Sequence, residues 1–118
     1  MKKAVVLIRS APYGEAASAE GFRVVMALPA LGVETTAVVM DDGVLCLIRE
    51  ADPTRIGWRG NLADAFAQTK EYEARLVVHR PSLDSRHLSE RQIIDHDGYV
   101  DDAGLKSLVD EAHVVLAF

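Results

Sequence analysis

The sequence predicts a three-layer α/β sandwich with a mainly parallel sheet, and three observations support this fold class. Short apolar runs rich in β-branched residues are typical of strands that are buried on both faces. Segments with helical periodicity lie between these runs, and loops with Gly, Pro and Asp separate the two. Such alternation indicates right-handed βαβ units with helices on both faces of the sheet. We therefore expect a flavodoxin-like architecture.

The first predicted strand is the run Val5-Val6-Leu7-Ile8, which ends at the loop Ser10-Ala11-Pro12-Tyr13-Gly14. A helix follows, because apolar residues recur there at helical spacing. Its apolar stripe consists of Ala19, Phe22, Val25 and Met26. Pro29 and Gly32 mark the end of this helix.

The second strand is predicted over Thr35–Met40 and is stopped by Asp41-Asp42-Gly43. The periodicity of Val44–Ile48 is ambiguous, but its position after an Asp-Gly turn favours a short helix. A loop with Trp58 is expected over Arg49–Gly60, and an amphipathic helix over about Leu62–Tyr72.

The third strand is predicted over Arg75–His79, and a poorly patterned polar region follows from Pro81 to Arg91. A short strand is possible over Gln92–Ile94, and the last strand covers His113–Phe118. The helix before that last strand carries Leu105, Leu108, Val109 and Ala112 on one face, with Asp101 and Asp102 at its N-cap position.

Length and charge limit the functions that the chain can have. At 118 residues we expect a single domain, over residues 1–118. There are 13 basic and 18 acidic residues, a net charge of −5, which argues against direct binding of nucleic acid or an anionic membrane. The apolar run near the N-terminus is too short for a signal peptide or a membrane span. With one cysteine there is no intramolecular disulfide, so a cytoplasmic location is expected.

Ligands of open parallel sheets bind beyond the carboxyl ends of the strands. The candidate pocket residues at that edge are Ser10, Tyr13, Asp41, Asp42, His79 and Arg80, with Arg9 and Ser82 beside them. Two adjacent carboxylates with no further acidic residue on neighbouring strands do not make a metal site, and the histidines lack metal-ligand spacing. We expect no metal and no cofactor.

Cys46 is the candidate nucleophile, and two interpretations of it compete. If Asp42 caps the short helix, Cys46 lies near the first turn, where a helix N-terminus lowers the pKa of a thiol. The nearby aspartates act in the opposite direction, and the apolar neighbours favour burial. The structural interpretation is preferred, and a nucleophilic Cys46 stays as the alternative.

The loop from Ser10 to Gly14 precedes a helix, so an anion can bind to free backbone N–H groups there. It matches neither of the Gly-rich phosphate-binding patterns. A small-ligand or nucleotide-binding module therefore remains a further alternative.

Two loop sequences, taken in order, resemble those of the DsrE/DsrF-like sulfur-relay family, closest to its DsrF (TusC-like) branch. They are Ser10-Ala11-Pro12-Tyr13-Gly14 and Met40-Asp41-Asp42-Gly43-Val44. The resemblance implies a DsrEFH-like fold and a homo-oligomer, or a hetero-oligomer with DsrE-like and DsrH-like subunits. It also implies sulfur trafficking, in either sulfur oxidation or tRNA thiolation.

In the DsrE branch a persulfide-carrying cysteine follows the third strand, whereas this chain reads Val78-His79-Arg80-Pro81-Ser82-Leu83 there. The resemblance therefore implies a non-catalytic subunit that scaffolds a cysteine-bearing partner. Our hypothesis adds that Trp58 and the loop Arg49–Gly60 lie in an interface. The alternative within the same family is a sulfurtransferase that carries persulfide on Cys46.

Overall fold

The computed structural model describes residues 2–12, 16–49 and 62–118. The strands are β1 (Lys3–Ile8), β2 (Glu34–Val39), β3 (Arg75–His79), β4 (Tyr99–Val100) and β5 (Val114–Ala117). The α-helices are α1 (Ala17–Ala30), α2 (Leu62–Ala67), α3 (Arg80–Ser85) and α4 (Asp102–Glu111). The 3-10 helices of these ranges are Asp41–Leu47, Thr69–Tyr72 and Glu90–Gln92. Within these ranges, no helix is long and apolar enough to cross a membrane.

The five described strands form one parallel sheet in the order β4-β3-β2-β1-β5. The three central strands are the β-branched runs, as expected for strands covered on both faces. The predicted α/β class with a mainly parallel sheet is therefore confirmed. After β4 the chain crosses back through α4 and places β5 beside β1.

The two faces of the sheet are covered unequally. The first face packs against α1, α2, α3 and the Asp41–Leu47 helix around a large core, in which Phe22 and Phe66 meet edge to face with ring centroids 5.1 Å apart. The second face has only α4, over a core of Val5, Val38 and Val77. The apolar residues that α4 adds to this core are all partly exposed.

Two predicted elements differ from the structure. The short strand lies at Tyr99–Val100 and not at Gln92–Ile94, because Gln92 closes a capping box with Ser89 and Ile93 makes only an isolated bridge to Ile48. The helix expected over Leu62–Tyr72 is broken after Ala67 and continues as a 3-10 helix.

The poorly patterned region after β3 contains α3, which the sequence did not reveal. This helix is only six residues long, and it has Pro81 in its first turn, where the missing N–H costs no hydrogen bond. A helix this short shows too few repeats for its periodicity to be detected.

The turn after β2 packs directly against the end of β1. The Met40 N–H donates to the Ile8 carbonyl at 2.9 Å, and a Cβ atom on Gly43 would stand 2.0 Å from that same oxygen. Only glycine allows this approach. The turn that carries Asp41 and Asp42 is thereby held against β1.

Gly43→Ala tests this contact. We expect the free energy of unfolding to fall by about 3 kcal/mol, because backbone must move to admit the methyl group. Gly32→Ala is the matched control: it has positive φ but nothing within 4 Å, so its cost is about 1 kcal/mol. Urea unfolding followed by circular dichroism measures both, and equal costs would contradict the close-approach explanation.

Candidate functional site

A buried polar cluster centred on His79 occupies the carboxyl end of β3. The His79 residue is 7% exposed, with Nδ1 2.6 Å from the Ser82 Oγ atom and Nε2 2.7 Å from the Asp102 Oδ1 atom. Ser82 lies in α3 and Asp102 begins α4, so one imidazole joins helices from opposite faces of the sheet. The backbone N–H of Asp41 also donates to the Ser82 Oγ atom, at 2.8 Å.

Both ring nitrogens of His79 have a hydrogen-bond partner. The Ser82 hydroxyl accepts from the Asp41 N–H and has its own proton available for His79 Nδ1. On the other side of the ring, the Asp102 carboxylate accepts from Nε2–H. The cluster thus links Asp41, Ser82, His79 and Asp102 in one chain of hydrogen bonds.

Serine, histidine and aspartate in this order are the groups of a hydrolase triad, but their environment differs. Ser82 is only 4% exposed, and its oxygen already accepts the Asp41 N–H. The open end of the cluster is the opposite one, because the Asp102 side chain is 86% exposed. The arrangement connects elements and does not present a nucleophile.

Asp41 and Asp42 are each paired with an arginine. Arg9 Nε lies 3.1 Å from an Asp41 carboxylate oxygen, and Arg86 Nη2 lies 2.8 Å from Asp42. Arg86 also donates to the Ser82 carbonyl at 3.1 Å. In the part of the chain that the structure describes, no three His, Cys, Asp or Glu side chains form a group that could hold a metal ion.

Cys46 lies near the end of the Asp41–Leu47 helix and not in its first turn. The position expected from an Asp42 cap is wrong, because the N-cap is Met40 and the helix begins two residues earlier, at Asp41. Cys46 is 2% exposed, and its Sγ atom lies 3.8 Å from the Ser10 carbonyl. Burial raises the pKa of the Cys46 thiol to about 11. At neutral pH the group is a protonated thiol, which is a poor nucleophile.

The remaining candidate pocket residues do not all converge on His79. Ser10 contributes its carbonyl, which accepts from the Ser18 hydroxyl at 2.7 Å as well as facing Cys46. Tyr13 lies outside the described residues. Arg80 points away, towards the β4 edge, where its guanidinium stands 4.6 Å from the centre of the Tyr99 ring and pairs with Asp84.

A second cluster of polar side chains, formed by His96 and Tyr99, lies beneath Arg80 at the β4 edge of the sheet. The Tyr99 ring meets His96 edge to face with centroids 4.5 Å apart, and the Tyr99 hydroxyl has no hydrogen-bond partner among the described residues. Burial raises the pKa of Tyr99, and the neighbouring Glu90 carboxylate acts in the same direction. A separate cavity of about 240 Å³ borders His96 from the α2 side.

Sequence reasoning missed the role of Asp102. Asp101 and Asp102 are both N-cap candidates in the sequence, and in the structure the two side chains make different contacts. The Asp101 carboxylate accepts from the Gly104 N–H at 2.7 Å and caps α4, which leaves Asp102 free to bind His79. The sequence did carry a signal for this role. A helix needs only one N-cap residue, so the second aspartate of the Asp101-Asp102 pair was available for another contact.

Ser82→Ala and Asp102→Asn separate the two ends of the His79 cluster. Ser82→Ala removes the partners of both the Asp41 N–H and His79 Nδ1, so we expect a loss of about 2 kcal/mol in unfolding free energy. Asp102→Asn keeps an exposed acceptor and costs under ~1 kcal/mol. Chemical denaturation measures the unfolding free energy of both variants. A larger loss for Asp102→Asn than for Ser82→Ala would contradict our inference that the buried Ser82 contact stabilises the fold more than the exposed Asp102 contact.

Cys46 makes stability depend on alkaline pH. The unfolded thiol ionises near its ordinary pKa of 9.0 and the folded one near 11, so between these values the folded state binds more protons. The Cys46 contribution is complete below pH 9 and falls by about 2 kcal/mol by pH 11. Cys46→Ala is the control, and the difference between the two pH profiles of unfolding free energy isolates the thiol. Parallel profiles would contradict the raised pKa.

Comparison with known proteins gives one family match, one related sequence and two similar structures. The family model described as "DsrE/DsrF-like family" matches residues 2–118. The intracellular sulfur oxidation protein DsrF of Allochromatium vinosum is 32% identical over 96 residues, which are 80% of this chain and 70% of that protein. The crystal structure of the E. coli YchN protein superposes with a TM-score of 0.86 at 22% identity and covers all of both chains.

A protein of unknown function from Methanobacterium thermoautotrophicum, MTH1491, has the same fold. It superposes with a TM-score of 0.73 at 14% identity, over 98% of this chain and 99% of that one. At such identities the two structural matches establish the fold alone.

Proposed function

This chain belongs to the DsrE/DsrF-like family, and from that premise we propose that it serves sulfur relay as a non-catalytic, DsrF-like subunit that scaffolds a cysteine-bearing, DsrE-like partner. The observation that carries the proposal is the state of its only thiol. Cys46 is buried, and the position after β3 holds Ser82 within the His79 cluster.

Persulfide relay requires a thiolate that attacks one sulfur and later leaves another. The Cys46 thiol has a pKa of about 11, so only about one part in ten thousand is ionised at pH 7. The surrounding side chains, Val44 and Leu47, are themselves buried. A sulfur donor therefore has to open the core before it can reach this thiol.

The proposed subunit is a single domain over residues 1–118 and acts in the cytoplasm within a homo-oligomer or a hetero-oligomer with DsrE-like and DsrH-like chains. The net charge of −5 supports a role without direct contact to nucleic acid or membrane. The proposed interface comprises Trp58 and the loop Arg49–Gly60, and apart from Arg49 this loop lies outside the described part of the chain.

A sulfur-loading experiment tests the proposal. The folded protein is incubated with inorganic polysulfide and analysed by intact-protein mass spectrometry. We expect no gain of sulfur in the native state and a gain at Cys46 after unfolding in urea. Cys46→Ser is the matched control, because it removes the only thiol.

Native Cys46 that takes up sulfur as fast as the unfolded chain would contradict the proposal and favour a persulfide carrier. The scaffold role is tested separately by capture of a purified DsrE-like chain that bears a cysteine after its third strand. Failure of this chain to bind any such partner would overturn the scaffold role, whatever the reactivity of Cys46.

A further inference from the structure

We propose that a cavity at the amino edge of the sheet binds a small zwitterion, an α-amino acid with a short side chain. The cavity has a volume of about 110 Å³ and lies on the face of the sheet that α4 covers. It is at the opposite edge from His79, so the inference does not depend on the proposed function. The construction of the cavity, its unpaired charges and a buried threonine carry the inference.

The floor of the cavity comes from one face of the sheet, because side chains alternate between the faces along each strand. In the parallel register Val5, Thr36 and Arg75 lie in one row across β1, β2 and β3. Lys3 and Glu34 form the preceding row, at the first residues of β1 and β2. All five residues therefore point to the α4 side, where Val5 belongs to the core beneath that helix.

Helix α4 supplies the upper wall of the cavity. Leu108 and Glu111 are three residues apart, so they share one face of the helix, and both line the cavity. Just after this helix, the His113 N–H donates to the Lys3 carbonyl at 2.8 Å, and the Lys3 N–H donates to His113 Nδ1 at 3.0 Å. These two hydrogen bonds hold the end of α4, with Glu111, close to β1.

Four charged side chains surround the cavity: the cations are Lys3 and Arg75, and the anions are Glu34 and Glu111. None of the four forms a salt bridge with another residue of the described ranges. A simple anion would be repelled by the two carboxylates, and a simple cation by the two basic side chains. Two positive and two negative charges sum to zero, so the complementary occupant is neutral overall and carries both signs.

Thr36 supplies a neutral polar group to the same cavity. This residue is 8% exposed, and its hydroxyl makes no hydrogen bond to any residue that the structure describes. The adjacent Thr35 shows the usual arrangement, because its hydroxyl donates to the Val33 carbonyl at 3.0 Å. Side-chain polar groups in buried positions normally have a partner. An occupant of the cavity provides the partner that the Thr36 hydroxyl lacks.

The lining groups match the two charged ends of an α-amino acid. Arg75 and Thr36 are neighbours across the sheet, and both can donate hydrogen bonds to a carboxylate. Glu34 and Glu111 accept hydrogen bonds from an ammonium group. The cavity volume of about 110 Å³ equals that of about four water molecules at ~30 Å³ each, so it admits glycine or alanine and excludes large side chains.

Titration of the isotope-labelled protein with glycine, followed by amide NMR, tests the site. We expect saturable shifts at millimolar concentrations, largest for the amides of Thr36, Arg75 and Glu111. Glycine also slows amide hydrogen exchange in α4, because it adds contacts to a helix that has no fully buried residue. The absence of saturable shifts, or shifts confined to the carboxyl edge, would overturn the proposal.

Acetate and methylamine test whether both charges of the ligand are needed. Each carries only one of the two charged groups of glycine, and we expect each to bind at least about tenfold more weakly than glycine. Acetate that binds as tightly as glycine would replace the zwitterion site with an anion site. Methylamine that binds as tightly as glycine would replace it with a cation site.

Substitutions identify the groups that bind glycine. Arg75→Gln and Glu111→Gln are each expected to raise the dissociation constant about tenfold, and Thr36→Val about fivefold. Arg23→Gln is the matched control, because Arg23 is exposed on α1, away from this face, so its dissociation constant stays at the wild-type value. Circular dichroism confirms that each variant is folded. Wild-type affinity in both Arg75→Gln and Glu111→Gln would reject the site.

Discussion

The His79 imidazole is the contact on which the carboxyl edge of the sheet depends. Its two nitrogens reach α3 through Ser82 and α4 through Asp102, while Ser82 also receives the backbone of the turn after β2. Elements that follow β2, β3 and β4 are thus joined through one ring. Because the ring is buried and both nitrogens are bonded, each lost partner leaves a polar atom unpaired.

This arrangement explains why the edge is rich in polar groups and yet leaves neither Ser82 nor Cys46 accessible as a nucleophile. The Ser82 hydroxyl and the Asp41 N–H are used in joining elements, and both acidic side chains of the turn pair with arginines. Cys46 packs beneath the same turn, facing the Ser10 carbonyl. Burial under this turn raises the pKa of the Cys46 thiol and keeps it protonated at neutral pH.

Continuous apolar runs such as Val5–Ile8 predicted the central strands, and their alternation with segments of helical periodicity predicted the fold class. Both signals failed where elements are short: α3 covers six residues and β4 covers two. The site was predicted in part. Sequence placed His79 at the productive edge, but its partner Asp102 is 23 residues away, and only the packing of α4 brings them together.

The unequal covering of the sheet follows from its topology. The crossovers among the first four strands all run in one direction and leave their helices on one face, so the return through α4 alone must cover the other. A single ten-residue helix cannot bury five strands, and the shortfall is greatest at β5, the last strand to join. Exposed valines at that edge are therefore a consequence of strand order.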